Sequence, residues 1–91
     1  MTPAKTHEVV LYSGAGCGLC EAARRALEQL STRHAFRLRE IDIHTDPLLA
    51  KRWLFEIPVI EVDSEVVTRA PIDLDAVVGA LRRGEALRGR R

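Results

Sequence analysis

A continuous apolar run, Val9-Val10-Leu11-Tyr12, stops at Ser13-Gly14-Ala15-Gly16, and beyond that loop the apolar residues recur at helical spacing. A run this short, apolar throughout and ended by glycines, reads as a central strand buried on both faces. Leu19, Ala23, Ala26, Leu27 and Leu30 then make one stripe, with Glu21, Arg24, Arg25 and Glu28 largely turned away, so residues 18–32 read as an amphipathic helix lying on the sheet. The two cysteines of the chain, Cys17 and Cys20, sit on this junction. A Cys-x-x-Cys there places the first thiol at a helix N-terminus, where free amide N–H groups and the helix dipole favour thiolate over thiol. The thiolate is the nucleophile, and lowering its pKa from about 8.5 raises the reactive fraction at neutral pH. Glu21, four residues on, opposes that shift by its charge.

The second half continues in short elements. Phe36, Leu38, Ile41 and Ile43 alternate with charged residues, the Arg39-Glu40 pair breaking strict alternation, which predicts a strand ending near His44. Strand, helix and strand in so short a stretch imply a right-handed parallel crossover. Asp46-Pro47 reads as an N-cap followed by proline in the first turn of a short helix through about Trp53. Ile57-Pro58-Val59-Ile60-Glu61-Val62 and Glu65-Val66-Val67-Thr68, separated by Asp63-Ser64, read as a hairpin, with Pro58 at the strand start because it has no N–H to donate. Asp73 caps a closing helix of Leu74, Val77, Val78 and Leu81. The predicted order is β-α-β-α-β-β-α, an α/β fold with a four-stranded mixed sheet and three helices. Residues 1–6 are expected to be disordered, 7–82 to form the domain, and 83–91 to be a basic flexible tail.

Ninety-one residues allow one core of ordinary size. With Lys+Arg 14 against Asp+Glu 13, the chain has no overall basic field, and nucleic acid is not an expected partner. No run approaches the roughly 20 apolar residues that span a bilayer, and the N-terminal stretch has no apolar segment behind a basic one, so a cytoplasmic protein without a membrane partner is expected. In that reducing compartment a cysteine pair points to catalysis, redox sensing or metal binding before a structural staple. Burial of both thiols as small hydrophobes is the plainer alternative. A zinc site needs four ligands, and Cys17, Cys20, His7, His34 and His44 show no paired-histidine spacing, so a complete intrachain metal site is not expected.

The segments VVLYSGAGCGLC and EIPVIEV, with the closing amphipathic helix, resemble the thioredoxin fold and more narrowly a small glutaredoxin-like protein, over roughly residues 7–82. The resemblance implies Cys17 as nucleophile, Cys20 as resolving thiol, and a cis proline beside the reactive sulfur, which maps onto Pro58 after Ile57. It also implies a substrate groove around Gly16, Gly18, Leu19, Ile57 and Pro58. Gly18-Leu19 depart from the proline and aromatic that glutaredoxins carry between the cysteines, and the basic residue expected upstream is missing, Ser13 and Gly14 standing there. Where glutaredoxins present Gly-Gly-x-Asp to a glutathione carboxylate, this chain has Ala70-Pro71-Ile72-Asp73, and proline removes one donor. Lys51, Arg52 and Arg69 are the candidate compensating contacts to an anion. His44 lies on the sheet edge that carries the cysteine loop, and Trp53 and Phe55 are candidates for an apolar lip or for helix packing.

The expected activity is therefore thiol–disulfide exchange on a disulfide-containing protein or small thiol substrate, reset by an external thiol, needing no organic cofactor and using glutathione poorly. The rival is a non-catalytic thioredoxin-fold module whose cysteines hold a metal or a [2Fe–2S] cluster shared between two chains, since two thiols are half of a Cys₄ set.

Overall fold

Each short apolar run finds its partner in a four-stranded mixed sheet of order β2-β1-β3-β4. The computed structural model describes residues 7–89, with side chains through residue 83. Its elements are β1 (His7–Ser13), α1 (Gly18–Leu30), β2 (Phe36–Asp42), a 3₁₀ turn (Ile43–Thr45), α2 (Pro47–Trp53), β3 (Val59–Val62), β4 (Glu65–Arg69) and α3 (Leu74–Gly89). β1 is central, parallel to β2 and antiparallel to β3, and β3 pairs antiparallel with β4. The expected disorder of residues 1–6 lies outside the described residues, as do 90 and 91. α3 runs beyond the expected end of the domain at residue 82, through Gly89. Arg82, Arg83, Glu85, Ala86 and Leu87 are all good helix formers, and Gly84 does not stop them.

The alternation of side chains along β1 divides the interior in two. Val9 and Leu11 face a cluster completed by Ala23 and Leu27 of α1, Ile60 and Val62 of β3, and Val77 and Leu81 of α3. On the opposite face Ile43, Trp53 and Val59 form a second cluster with Tyr12, Leu49 and Ile57 against it. There burial, with Glu61 beside it, pushes the Tyr12 phenol up.

The break in alternation within β2 is the point where this strand changes allegiance. Phe36 and Leu38 pack on the α1/α3 cluster, whereas Ile43 belongs to the α2 cluster. The strand also ends earlier than the pattern predicts. Asp42 accepts the His44 amide at 2.9 Å, the Thr45 hydroxyl donates to the Asp42 carbonyl at 2.7 Å, and the chain turns into α2. Asp46 caps that helix by accepting the Leu48 amide at 2.9 Å.

Asp63 and Ser64 turn the β3–β4 hairpin with φ of 51° and 75°, both in the left-handed region a primed turn needs. The Asp63 carboxylate meets buried His7 Nδ1 at 2.6 Å and accepts the Glu8 amide at 3.0 Å, fastening the turn to the start of β1.

Leu27→Ala opens a cavity between α1 and the sheet and is expected to cost about 2–5 kcal/mol, whereas Phe55→Ala, at a side chain 95% exposed, should stay within about 0.5 kcal/mol. Urea unfolding of the two variants measures both. Equal losses would contradict the core assignment.

Candidate active site

The loop from β1 to α1 is shaped by two glycines. Gly16 has φ of +73°, where a side chain is strained, and a Cβ on Gly14 would lie 2.9 Å from Ile57 Cδ1 and 3.3 Å from His44 Cε1. Ile57 and His44 therefore close on the loop directly, which brings the Ile57-Pro58 segment beside the cysteines. His44 stands where its place on the sheet edge predicts.

Cys17 is the N-cap residue of α1, and its Sγ accepts the Cys20 amide at 3.1 Å. The same two sulfurs form a disulfide, with their Cα atoms 5.2 Å apart. Cys17 is half-buried and Cys20 only 3% exposed. Gly18 opens α1, and Leu19 between the cysteines is 63% exposed.

Two hollows of different chemistry meet the cysteine turn, the first lined by both cysteines and the second reaching it at Leu19. The first, about 610 Å³, runs from the cysteine loop to the ends of β1 and β2 and is lined by Cys17, Cys20, Ser13, Glu21, Glu40 and Asp42 among others. Buried Ser13 donates to Glu40 at 2.7 Å, and Arg24 pairs with Glu21 and, through Nε at 3.4 Å, with Glu40. Glu21 thus lines the same cleft as Cys17, as its spacing predicts. The His44 amide, aided by the His44 ring 3.2 Å away, holds the Asp42 carboxyl below the ordinary carboxylate range. The second hollow, about 310 Å³, lies between α1 and the two proline loops and is lined by Leu19, Pro58, Ala70, Pro71, Ile72 and Leu74 with alanines of α1.

Ile57-Pro58 is a cis peptide, with Pro58 immediately before β3, and Ala70-Pro71 is also cis. Both prolines line the apolar groove.

The candidate anion contacts lie elsewhere. The Arg52 guanidinium sits 4.6 Å and that of Arg69 5.6 Å from the Trp53 ring, and Arg69 pairs with Glu56 at 3.1 Å. Lys51 is exposed on α2, and none of these cations lines the cleft or the groove. Trp53 is buried in the core on the α2 face, while Phe55 projects outward. At the start of α3 three backbone donors already have acceptors. The Asp73 amide bonds Thr68 Oγ1 at 3.0 Å, and the Asp75 and Ala76 amides bond Asp73 Oδ1 at 3.0 and 3.4 Å. No group of three or more His, Cys, Asp or Glu placed to hold a metal ion occurs among the described residues.

Glu40, Asp42 and the Ser13–Glu40–Arg24–Glu21 chain are the site residues that sequence reading passes over. Their signal is the broken alternation of β2: once the apolar residues move to the α2 face, Glu40 and Asp42 are left on the face that α1 covers.

A Cys17–Cys20 disulfide at the N-cap of the first helix, together with a cis proline immediately before an antiparallel strand, defines a thioredoxin-fold protein with a Cys-x-x-Cys disulfide. The chain matches the glutaredoxin-like domain (DUF836) over residues 8–82 and belongs to that family. Its fold is similar to that of protein Ne2328 from Nitrosomonas europaea, with TM-score 0.77, 23% identity, and coverage of 89% of this chain and 98% of that one. Thioredoxin 1 from Thermosipho africanus aligns at TM-score 0.68 and 15% identity, over 91% of this chain and 99% of its own. Mitochondrial thioredoxin 3 from Saccharomyces cerevisiae aligns at 0.63 and 18%, over 86% and 78%. No curated protein matches the chain. No helix among the described residues is long and apolar enough to cross a membrane.

After reduction, Cys17 is expected to alkylate faster than Cys20, because its sulfur is the more accessible and accepts an amide at the helix start. Peptide mapping after limited iodoacetamide treatment checks the order. Preferential labelling of Cys20 would reverse the assignment.

Proposed function

We propose that this protein is a thiol–disulfide oxidoreductase acting through the Cys17–Cys20 pair, in a reducing compartment such as the cytoplasm. The observation that carries the reading is the disulfide itself, whose first sulfur caps α1 and borders an open cleft while the second is buried beneath it. In the reduced protein the Cys17 thiolate attacks one sulfur of a substrate disulfide. A Cys17–substrate bond forms, the substrate S–S bond breaks, and the first substrate thiolate leaves. Cys20 then gives up its proton to solvent and attacks Cys17 Sγ, forming the intramolecular disulfide and releasing the second substrate thiolate. Two electrons pass from the protein dithiol to the substrate, and an external thiol restores the pair. Burial of Cys20 favours this order, since a shielded sulfur reaches its neighbour more readily than a dissolved disulfide. Gly16, Gly18 and Leu19 frame the attack with Ile57 and Pro58.

Glutathione is a poor partner on this reading. A glutathione carboxylate at the start of α3 would need amide donors, but those of Asp73, Asp75 and Ala76 already have acceptors and Pro71 has no N–H. The carboxylates of Asp73 and Asp75 also repel an anion there. Losing one charge-assisted hydrogen bond costs about 1.5–3 kcal/mol, so affinity falls roughly ten- to hundredfold against a complete site. Lys51, Arg52 and Arg69, lining neither hollow, offer little compensation.

Reduction of hydroxyethyl disulfide driven by dithiothreitol tests the activity. The wild type should turn over, Cys17→Ser should fall to the uncatalysed rate, and Cys20→Ser should accumulate a mixed disulfide on Cys17 visible by mass spectrometry. Turnover that survives Cys17→Ser would end the proposal. With glutathione as reductant, the rate is expected to drop by at least about tenfold at equal thiol concentration. An equal rate would remove the glutathione argument alone.

A further inference from the structure

The two hollows beside the disulfide differ in charge, and a substrate that reaches Cys17 has to meet both. Glu21 comes from α1 and Glu40 and Asp42 from β2, so three carboxylates line one side. Arg24 is the guanidinium paired among them, bound to Glu21 and Glu40. Among the described residues Asp42 pairs with no lysine or arginine, and the His44 amide and ring favour its carboxylate form. The cleft wall therefore carries an excess of negative charge directly beside the reactive sulfur. The other flank, from Leu19 to Pro71 and Leu74, is lined by uncharged side chains throughout.

We infer that the disulfide site takes polypeptide disulfides in which the attacked cysteine has a lysine or arginine on one side and an apolar residue on the other. The inference rests on the oxidoreductase reading above and names its substrate class. A small disulfide fills at most one hollow, whereas a peptide crossing Cys17 lays a residue in each, about 610 Å³ on the acidic side and about 310 Å³ on the apolar side. The apolar residue buries against Leu19 and the two prolines, and its basic neighbour meets Glu21 and Asp42. An acidic neighbour in the same place is repelled. Electron flow is unchanged: Cys17 forms the mixed disulfide, Cys20 resolves it, and two substrate thiols leave. The carboxylates act on binding and orientation and have no part in the bond changes.

Disulfide-linked dimers of acetyl-Leu-Cys-Lys-amide and acetyl-Lys-Cys-Leu-amide, each with a counterpart carrying glutamate for lysine, test this. Dithiothreitol serves as reductant and hydroxyethyl disulfide as the neutral reference. Each catalysed rate is divided by that peptide's uncatalysed exchange rate, because a neighbouring lysine lowers the leaving-thiol pKa by itself. A factor of about two for each of two attractions and two repulsions, at the modest end of exposed ion-pair energies, multiplies to about sixteenfold in kcat/KM for lysine over glutamate in at least one orientation. The ratio should shrink to about two or less in the Glu21→Gln/Asp42→Asn double variant, and also near 0.5 M salt, where exposed charges are screened. Taking the ratio within one variant cancels any general loss of activity. Parity between the peptides in the wild type, a preference for glutamate, or a lysine preference untouched by the double variant would each overturn the inference. Failure of the wild type to reduce even hydroxyethyl disulfide would instead remove the oxidoreductase reading beneath it.

Discussion

Burial of β1 on both faces is the constraint from which the rest follows. Val9, Val10 and Leu11 are almost wholly inside, and full burial of such side chains contributes roughly 1.5–3 kcal/mol each. That requires a neighbour on each edge and a helix layer above and below, which β2, β3, α1 with α3, and α2 supply. The chain must then leave β1 at Ser13 and begin covering the strand it has just built. A four-residue loop does this, and Cys17 falls at the N-cap of the covering helix as a consequence. The cysteine pair occupies a place where the packing problem and a helix N-terminus coincide.

At that place a single atom serves two purposes. Cys17 Sγ satisfies an amide of the first turn of α1 and is also the sulfur that the proposed mechanism makes the nucleophile. A thiolate is a better acceptor than a disulfide sulfur, so the cap strengthens when the pair is reduced. Glu21 works against this from one turn along, and Arg24, paired to Glu21, takes up part of the opposing charge. Arg24 also joins α1 to the end of β2 through Glu40 and, by way of Glu40, to Ser13. The reactivity of Cys17 is therefore set by side chains from three elements.

Most of the architecture was legible because its signals are local. The change of period at Gly16, Asp46-Pro47 before α2, the Asp63-Ser64 turn and Asp73 before α3 each act within a few residues, and each appears where the pattern predicts. What the sequence hid depends on contacts between distant residues. Ser13 and Glu40 are 27 positions apart, and only the parallel register of β1 with β2 makes them partners. The stacking of Arg69 on Trp53 hid in the same way, since it forms only when α2 and the end of β4 are brought together. The length of α3 was hidden for a different reason. A cluster of arginines suggests a tail, but arginine is also a good helix former, and the helix runs to Gly89.

The N-termini of α1 and α3 are each capped by the chain's own side chains. Cys17 takes an amide of α1, and the Asp73 carboxylate takes two of α3. A free helix N-terminus attracts anions, whereas a carboxylate cap replaces that partial positive charge with a full negative one. The surroundings of the disulfide are thus negative on the β2 side through Glu40 and Asp42, and negative at the α3 cap through Asp73. A negative environment opposes thiolate formation. On the oxidoreductase reading proposed above, the charges that would turn away an anionic thiol also oppose the Cys17 thiolate, so substrate selectivity and thiol reactivity would share one physical origin.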